Sequence, residues 1–167
     1  MDADRIVDKI NKQEVQVLAA LQMIQKCEGT AVPNGYRMLF GGTFFNSFAT
    51  HPNIKLPFTQ TDGTLNYSSA AGAYQIIFPT FSRLRTKLKI DGLFPGALFC
   101  PKAQDLMARE LIAEQNAMGA IKDGDLKTAI DRLSPIWASL PSSKYPQPKR
   151  TSEFATVAFI SAGGRTA

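Results

Sequence analysis

Residues 26–30 read Lys-Cys-Glu-Gly-Thr, and the carboxylate among them, Glu28, closes a long helical pattern. A helix C-terminus carries partial negative charge and ordinarily takes Lys, Arg or His in its last turn. Gly29 has the character of the glycine that stops such a helix, so Glu28 stands in the half of the dipole where its ionisation is disfavoured. Two readings follow. Glu28 is a solvent-facing residue at a fraying helix end, or it is a carboxyl group held protonated for use as a general acid.

Glycosidic bond cleavage usually takes two carboxyl groups, one as acid and one as nucleophile or base on the opposite face. A partner for Glu28 should come from the segment that follows, yet no acidic residue occurs between Glu28 and Asp62. Asp62 precedes Gly63, a pair that favours a solvated Asx-turn over catalysis. A single carboxyl group suits an intramolecular reaction, in which Glu28 protonates the leaving oxygen and then deprotonates a hydroxyl of the same sugar. N-acetylmuramic acid can react in this way through its 6-hydroxyl, giving a 1,6-anhydro product without water. The alternatives are a hydrolytic muramidase, with Asp62 or another acid holding water, and a non-catalytic glycan-binding module.

Other reactive residue types are scarce. His51 is the single histidine, which removes most metal sites and most Ser-His or Cys-His catalysis. It precedes Pro52 and reads as a turn residue. Cys27 and Cys100 lie far apart without ligand spacing, so they make neither a disulfide framework nor a metal site. No metal and no cofactor is expected. Asp131 and Arg132 read as a structural polar pair, and Gln104 and Asp105 as helix-capping or solvent-facing residues.

The elements that must position Glu28 follow from periodicity. Ile6, Ile10, Val17, Leu21 and Ile24 recur at helical offsets and predict an amphipathic helix over 4–27. Tyr36, Met38 and Phe40 alternate with Arg37 and Leu39 ahead of Gly41-Gly42, which predicts a small hairpin or short sheet; a loop is expected from His51 to Gly63. Helices return later, with Pro79 and Pro101 at first helical positions and Asp125 capping Leu126–Leu133. A helical turn is expected over 135–140 and a last helix over 152–162, ahead of Gly163-Gly164. The pattern predicts one α+β domain, 1–167, mainly helical, with a small antiparallel β region and a cleft between lobes suited to an extended polymer.

Composition is consistent with this. Of the 167 residues, 44% are hydrophobic and 20% charged, which is ordinary globular material. The net charge of +5 favours an anionic partner such as cell wall. The basic residues are scattered, so nucleic-acid binding is not expected. The N-terminus lacks a basic and then apolar leader, and no apolar run reaches the ~20 residues of a membrane span, so a soluble chain made in the cytoplasm without stable membrane insertion is expected.

Seven motifs occur in order: EGT at 28–30, GY at 35–36, GG at 41–42, HP at 51–52, AGAYQ at 71–75, PKAQD at 101–105 and AIDRLSPIWASLP at 129–141. Together they resemble the lambda-type phage endolysins, lysozyme-like lytic transglycosylases of peptidoglycan, over roughly residues 20–165, so that much of the first helix lies outside the match. The resemblance implies a lysozyme-like fold, a catalytic glutamate at Glu28, and a glycan-binding cleft drawing on Tyr36, Gly72, Tyr74, Gln75 and Trp137. Taken alone, Trp137 in its apolar run reads as core. The resemblance further implies peptidoglycan glycan strands as partner and release to the periplasm and wall through a holin lesion; a monomer is the default expectation. One departure stands out, because the family carries an aspartate directly after Gly-Tyr where this chain has Arg37.

Overall fold

The computed structural model describes residues 2–167. Among them are seven helices and one two-stranded sheet: α1 (Ala3–Glu28), β1 (Leu56–Thr59), β2 (Leu65–Ser68), α2 (Phe78–Lys87), α3 (Ile90–Leu93), α4 (Pro101–Glu114), α5 (Met118–Asp123), α6 (Leu126–Leu133) and α7 (Ser152–Ser161). The chain divides into two compact units, one formed by the residues up to Cys27 with Leu111–Ala167, the other by Glu28–Glu110. The α+β class is as expected, with the sheet confined to the second unit.

In the first unit, α1 buries Val17, Leu21, Met23 and Ile24 on one face, while its first turns are exposed. Gln16 ties α1 to the C-terminal segment, donating to the Arg165 carbonyl at 2.8 Å and accepting from the Arg165 amide at 2.7 Å. Asp125 accepts from the Thr128 amide at 3.1 Å as the cap of α6, and Thr151 accepts from the Phe154 amide at 3.1 Å as the cap of α7. Each satisfies an amide that the first helical turn leaves without a partner. The stretch 135–140, expected as a helical turn, forms two successive turns and no continuous helix. Asp131 and Arg132 do not pair with each other. Asp131 accepts from Lys127 and Ser142, and Arg132 donates to the Asn116 carbonyl.

In the second unit the regular hairpin lies elsewhere than expected. β1 and β2 pair antiparallel from Leu56↔Ser68 to Thr59↔Leu65, with β1 inside the stretch read as a loop and β2 just after it. Their connection is the Asp62-Gly63 turn, with Gly63 at φ 87° and the Thr64 amide donating to Asp62 Oδ1 at 2.9 Å. The segment around Gly41-Gly42 keeps only an isolated bridge between Met38 and Phe44, because Leu39 turns to bridge Ala71. Pro101 opens α4 as expected, and Pro79 lies in the first turn of α2.

His51 is 2% exposed, so it is core and not a turn residue on the surface. Its ring lies 4.7 Å from Phe99, 5.3 Å from Phe81 and 5.7 Å from Phe78, centroid to centroid. Nε2 donates to the Ile76 carbonyl at 2.7 Å, while Nδ1 accepts from the Asn53 amide at 3.0 Å; both nitrogens are used by the neutral ring. Burial lowers its pKa below the ordinary histidine value, against a smaller opposing pull from the Ile76 carbonyl. The unfolded chain therefore binds the extra proton first, and the stability this ring contributes is present above the unfolded pKa of about 6.5 and lost as pH falls below it. We expect the free energy of unfolding to fall between pH 7 and 5 with a limiting slope of about 1.4 kcal/mol per pH unit, and the melting temperature to fall with it. Replacing His51 by Gln should flatten that component in a pH series of thermal melts.

Candidate active site

Glu28 is the last residue of α1 and is half-buried. Gly29 follows at φ 77°, a left-handed conformation that glycine adopts without steric cost and that turns the chain out of the helix. In the first unit, Arg150 donates to the Cys27 carbonyl at 3.2 Å, so a cation does occupy the end of α1, as the dipole favours. It is supplied from a residue far along the chain.

Beyond Gly29 the backbone is fixed closely. Thr30 is 1% exposed, and its hydroxyl donates to the Ala73 carbonyl. The Thr30 carbonyl accepts from the Val32 amide at 2.8 Å and lies so near Gly35 that a Cβ there would come within 1.8 Å of it. Gly35 opens a 3₁₀ turn, Gly35–Arg37, that carries Tyr36.

Ala73 belongs to a tight reversal. Ala71 and Ile76 exchange both backbone hydrogen bonds, at 3.1 and 2.9 Å, around the loop 72–75. Gly72 at φ 79° and Gln75 at φ 47° supply the left-handed residues that close it. The Gln75 side chain donates to the Gly72 carbonyl at 3.0 Å, holding its own turn in place.

Two neighbours on α4 organise these segments. Gln104 is fully buried. Its Oε1 accepts from the Ala73 amide at 2.8 Å, and its Nε2 donates to the Tyr36 carbonyl at 2.9 Å and the Phe99 carbonyl at 2.8 Å. Asp105 Oδ1 accepts from both the Tyr36 and the Tyr74 hydroxyls at 2.7 Å, and the two rings meet edge to face at 6.4 Å. Neither residue is the solvent-facing or capping group expected of it. The signal that distinguishes them lies in their distant partners and not in their local pattern.

The structure thus brings Glu28, Tyr36, Gly72, Tyr74 and Gln75 into one unit and leaves Trp137 in the other. Tyr36 and Gln75 are half-buried. Tyr74, at 1% exposure, and Trp137, at 3%, offer almost no ring surface, so both pack where a sugar-stacking role would need an open face. Arg37 lies with its guanidinium 4.0 Å from the Phe48 ring centroid and donates to the Asn46 carbonyl, clasping the loop that follows. No group of three or more potential metal ligands occurs among the described residues.

A family model described as Endolysin matches residues 18–166. The chain belongs to the endolysin family. This endolysin is 35% identical to the endolysin of Escherichia phage lambda over 87% of its own length and 90% of the relative's. It is 30% identical to the endolysin of Escherichia phage P2, over 89% and 93% respectively. Two solved structures are also similar. The bacteriophage lambda lysozyme complexed with a chitohexasaccharide superposes with a TM-score of 0.79 at 33% identity, covering 92% of this chain and 97% of that one. A second structure, of lysozyme from bacteriophage lambda, gives 0.74 at 32% identity over the same shares. The fold of this endolysin is therefore lysozyme-like, and residues 3–17 of α1 lie outside the family match.

Proposed function

We propose that this endolysin degrades bacterial peptidoglycan by cleaving the β-1,4 bond between N-acetylmuramic acid and N-acetylglucosamine, with Glu28 as the single acid and base. Family membership and the glycan complex of the lambda relative support a glycan substrate. In the proposed reaction Glu28 gives its proton to the glycosidic oxygen as the bond from that oxygen to C1 breaks. The resulting carboxylate takes the proton of the 6-hydroxyl on the same muramic acid, and O6 bonds to C1. The product is 1,6-anhydromuramic acid, the glutamic acid is regenerated, and neither water nor a cofactor is consumed.

The observation that carries this reading is the state of the other carboxylates in Glu28–Glu110. Asp91 is held by Arg85, Glu110 by Lys87 at 2.7 Å, and Asp105 by two tyrosine hydroxyls. Asp62 accepts from the Thr64 amide in its own turn, which holds its pKa below the ordinary aspartate value and makes it a weaker base for activating water. Four of the five carboxylates in this unit thus have structural work that does not require a substrate.

Mass spectrometry of the soluble products from purified peptidoglycan tests the proposal. Anhydromuropeptides, lighter than hydrolytic products by one water, are expected; reducing-end muramic acid would establish hydrolysis instead. Asp62→Asn should leave the rate within about twofold of the original, since the side chain of Asn keeps the turn-forming carbonyl. A large loss on that substitution would identify Asp62 as the second acid. The biological setting we propose is host lysis by a monomer that reaches the periplasm and wall through a holin lesion, its net charge of +5 favouring the anionic wall. No helix among the described residues is long and apolar enough to cross a membrane.

A further inference from the structure

We infer that Gln104 and Thr30 are positioning residues for Glu28, acting from opposite sides of a single residue, Ala73. The inference rests on the reading of Glu28 as the acid. Glu28 is one glycine away from Thr30, and that glycine adopts φ 77°, so the direction in which the chain leaves α1 is set by what holds Thr30. The Thr30 hydroxyl is bonded to the Ala73 carbonyl, and the Ala73 amide is bonded to Gln104 Oε1. The two polar groups of Ala73 thus face two different segments of the chain.

Gln104 can serve as an anchor because nothing about it is adjustable. It is fully buried, both its amide donors and its acceptor are committed, and it lies against Gly72, where a Cβ would come within 2.1 Å of Oε1. Its second donor fixes the Tyr36 carbonyl, so the same amide group sets both the 72–75 reversal and the 3₁₀ turn. The Thr30 carbonyl is packed in turn against Gly35, at the start of that turn. The path Gln104–Ala73–Thr30 and the path Gln104–Tyr36–Gly35–Thr30 therefore close on the same residue. Thr30 is constrained from both its side chain and its backbone. A carboxyl group two residues away inherits that fixity, which general acid catalysis requires because small displacements of the acid reduce the rate steeply.

A cycle of substitutions in the full chain tests this, read as kcat and KM for release of soluble fragments from purified peptidoglycan at a temperature well below each variant's melting point. Thr30→Val removes the hydroxyl at nearly constant volume, and Thr30→Ser restores it. Gln104→Met removes the amide at similar length. We expect Thr30→Val to lower kcat by about tenfold to a hundredfold with KM little changed, and Thr30→Ser to retain most of the rate. The double variant should be little worse than the poorer single, as for residues acting through one intermediate. A folded Thr30→Val protein with the original kcat, a loss confined to KM, or full additivity in the double variant would each overturn the inference. Should Gln104→Met fail to fold, the Val and Ser pair at Thr30 decides it. If the unsubstituted protein releases no fragments, the proposed function fails on its own. The positioning is then read from amide exchange and chemical shifts, where Gln104→Met should deprotect the Ala73 amide and Thr30→Val should shift the Glu28 resonance, and unchanged spectra would refute it.

Discussion

Glu28→Gln is expected to reduce peptidoglycan solubilisation by about 10²–10⁴-fold, the range over which a positioned acid or base contributes to a reaction. Glutamine matches glutamate in size and keeps the carbonyl oxygen, so α1, the Gly29 reversal and the Thr30 contact should persist. What it removes is the ionisable carboxyl group, which the proposed chemistry uses twice, first as the acid and then, as carboxylate, as the base. Both halves of the reaction therefore fail together, and the other four carboxyl groups in Glu28–Glu110 are engaged with partners of their own. Binding to purified sacculi should be nearly unchanged, which separates loss of chemistry from loss of recognition. The measurement is a paired assay of pelleting with sacculi and release of soluble fragments. A variant that bound and lysed like the original would place the acid elsewhere, and one that neither bound nor lysed would indicate a folding defect.

Gly72→Ala carries the second-largest expected effect, on stability. Gly72 adopts φ 79°, and an added Cβ would lie 2.1 Å from Oε1 of a fully buried Gln104. A left-handed alanine costs about 1–2 kcal/mol, and forcing atoms into a filled core costs about 1–3 kcal/mol more. At roughly 2–4 °C per kcal/mol for a domain of this size, the melting temperature should fall by about 4–20 °C. The steric part is specific to one neighbour. Gly72→Ala combined with Gln104→Ala should therefore be less destabilised than the two single losses summed, because the smaller side chain at position 104 vacates the space the new methyl needs. Strict additivity in thermal melts would mean that backbone strain alone accounts for the cost.

How far the sequence could be read depended on the range over which each feature is decided. α1 and α6 were legible because a 3.6-residue apolar period and a capping Asp125 act within one or two turns. The hairpin was misplaced for an equally local reason. Tyr36, Met38 and Phe40 alternate convincingly, yet the buried member of that stretch is Leu39, whose partner Ala71 lies in a distant segment. The true strands give a poor signal, since β1 contains Pro57, and Leu65 and Tyr67 on β2 are 61% and 60% exposed. Proline is tolerated there because a two-stranded sheet consists only of edges. His51 looked like a turn residue beside Pro52, because its cage of Phe78, Phe81 and Phe99 arrives from two later segments. Within the site, Glu28 stood out through its conflict with the helix dipole. Gln104 and Asp105 could not, because what gives them importance is a set of partners that no window around position 104 contains.

That separation along the chain bears on when the enzyme comes into being. The bonds from Gln104 to Ala73 and Tyr36 span 31 and 68 residues, and that from Tyr36 to Asp105 spans 69. As the polypeptide leaves the ribosome, Glu28 is present early, but the residues that fix its surroundings emerge only with α4. Contacts so distant in sequence form late and slowly. A chain interrupted before Pro101 thus carries its proposed acid with none of the α4 bonds that arrange its surroundings.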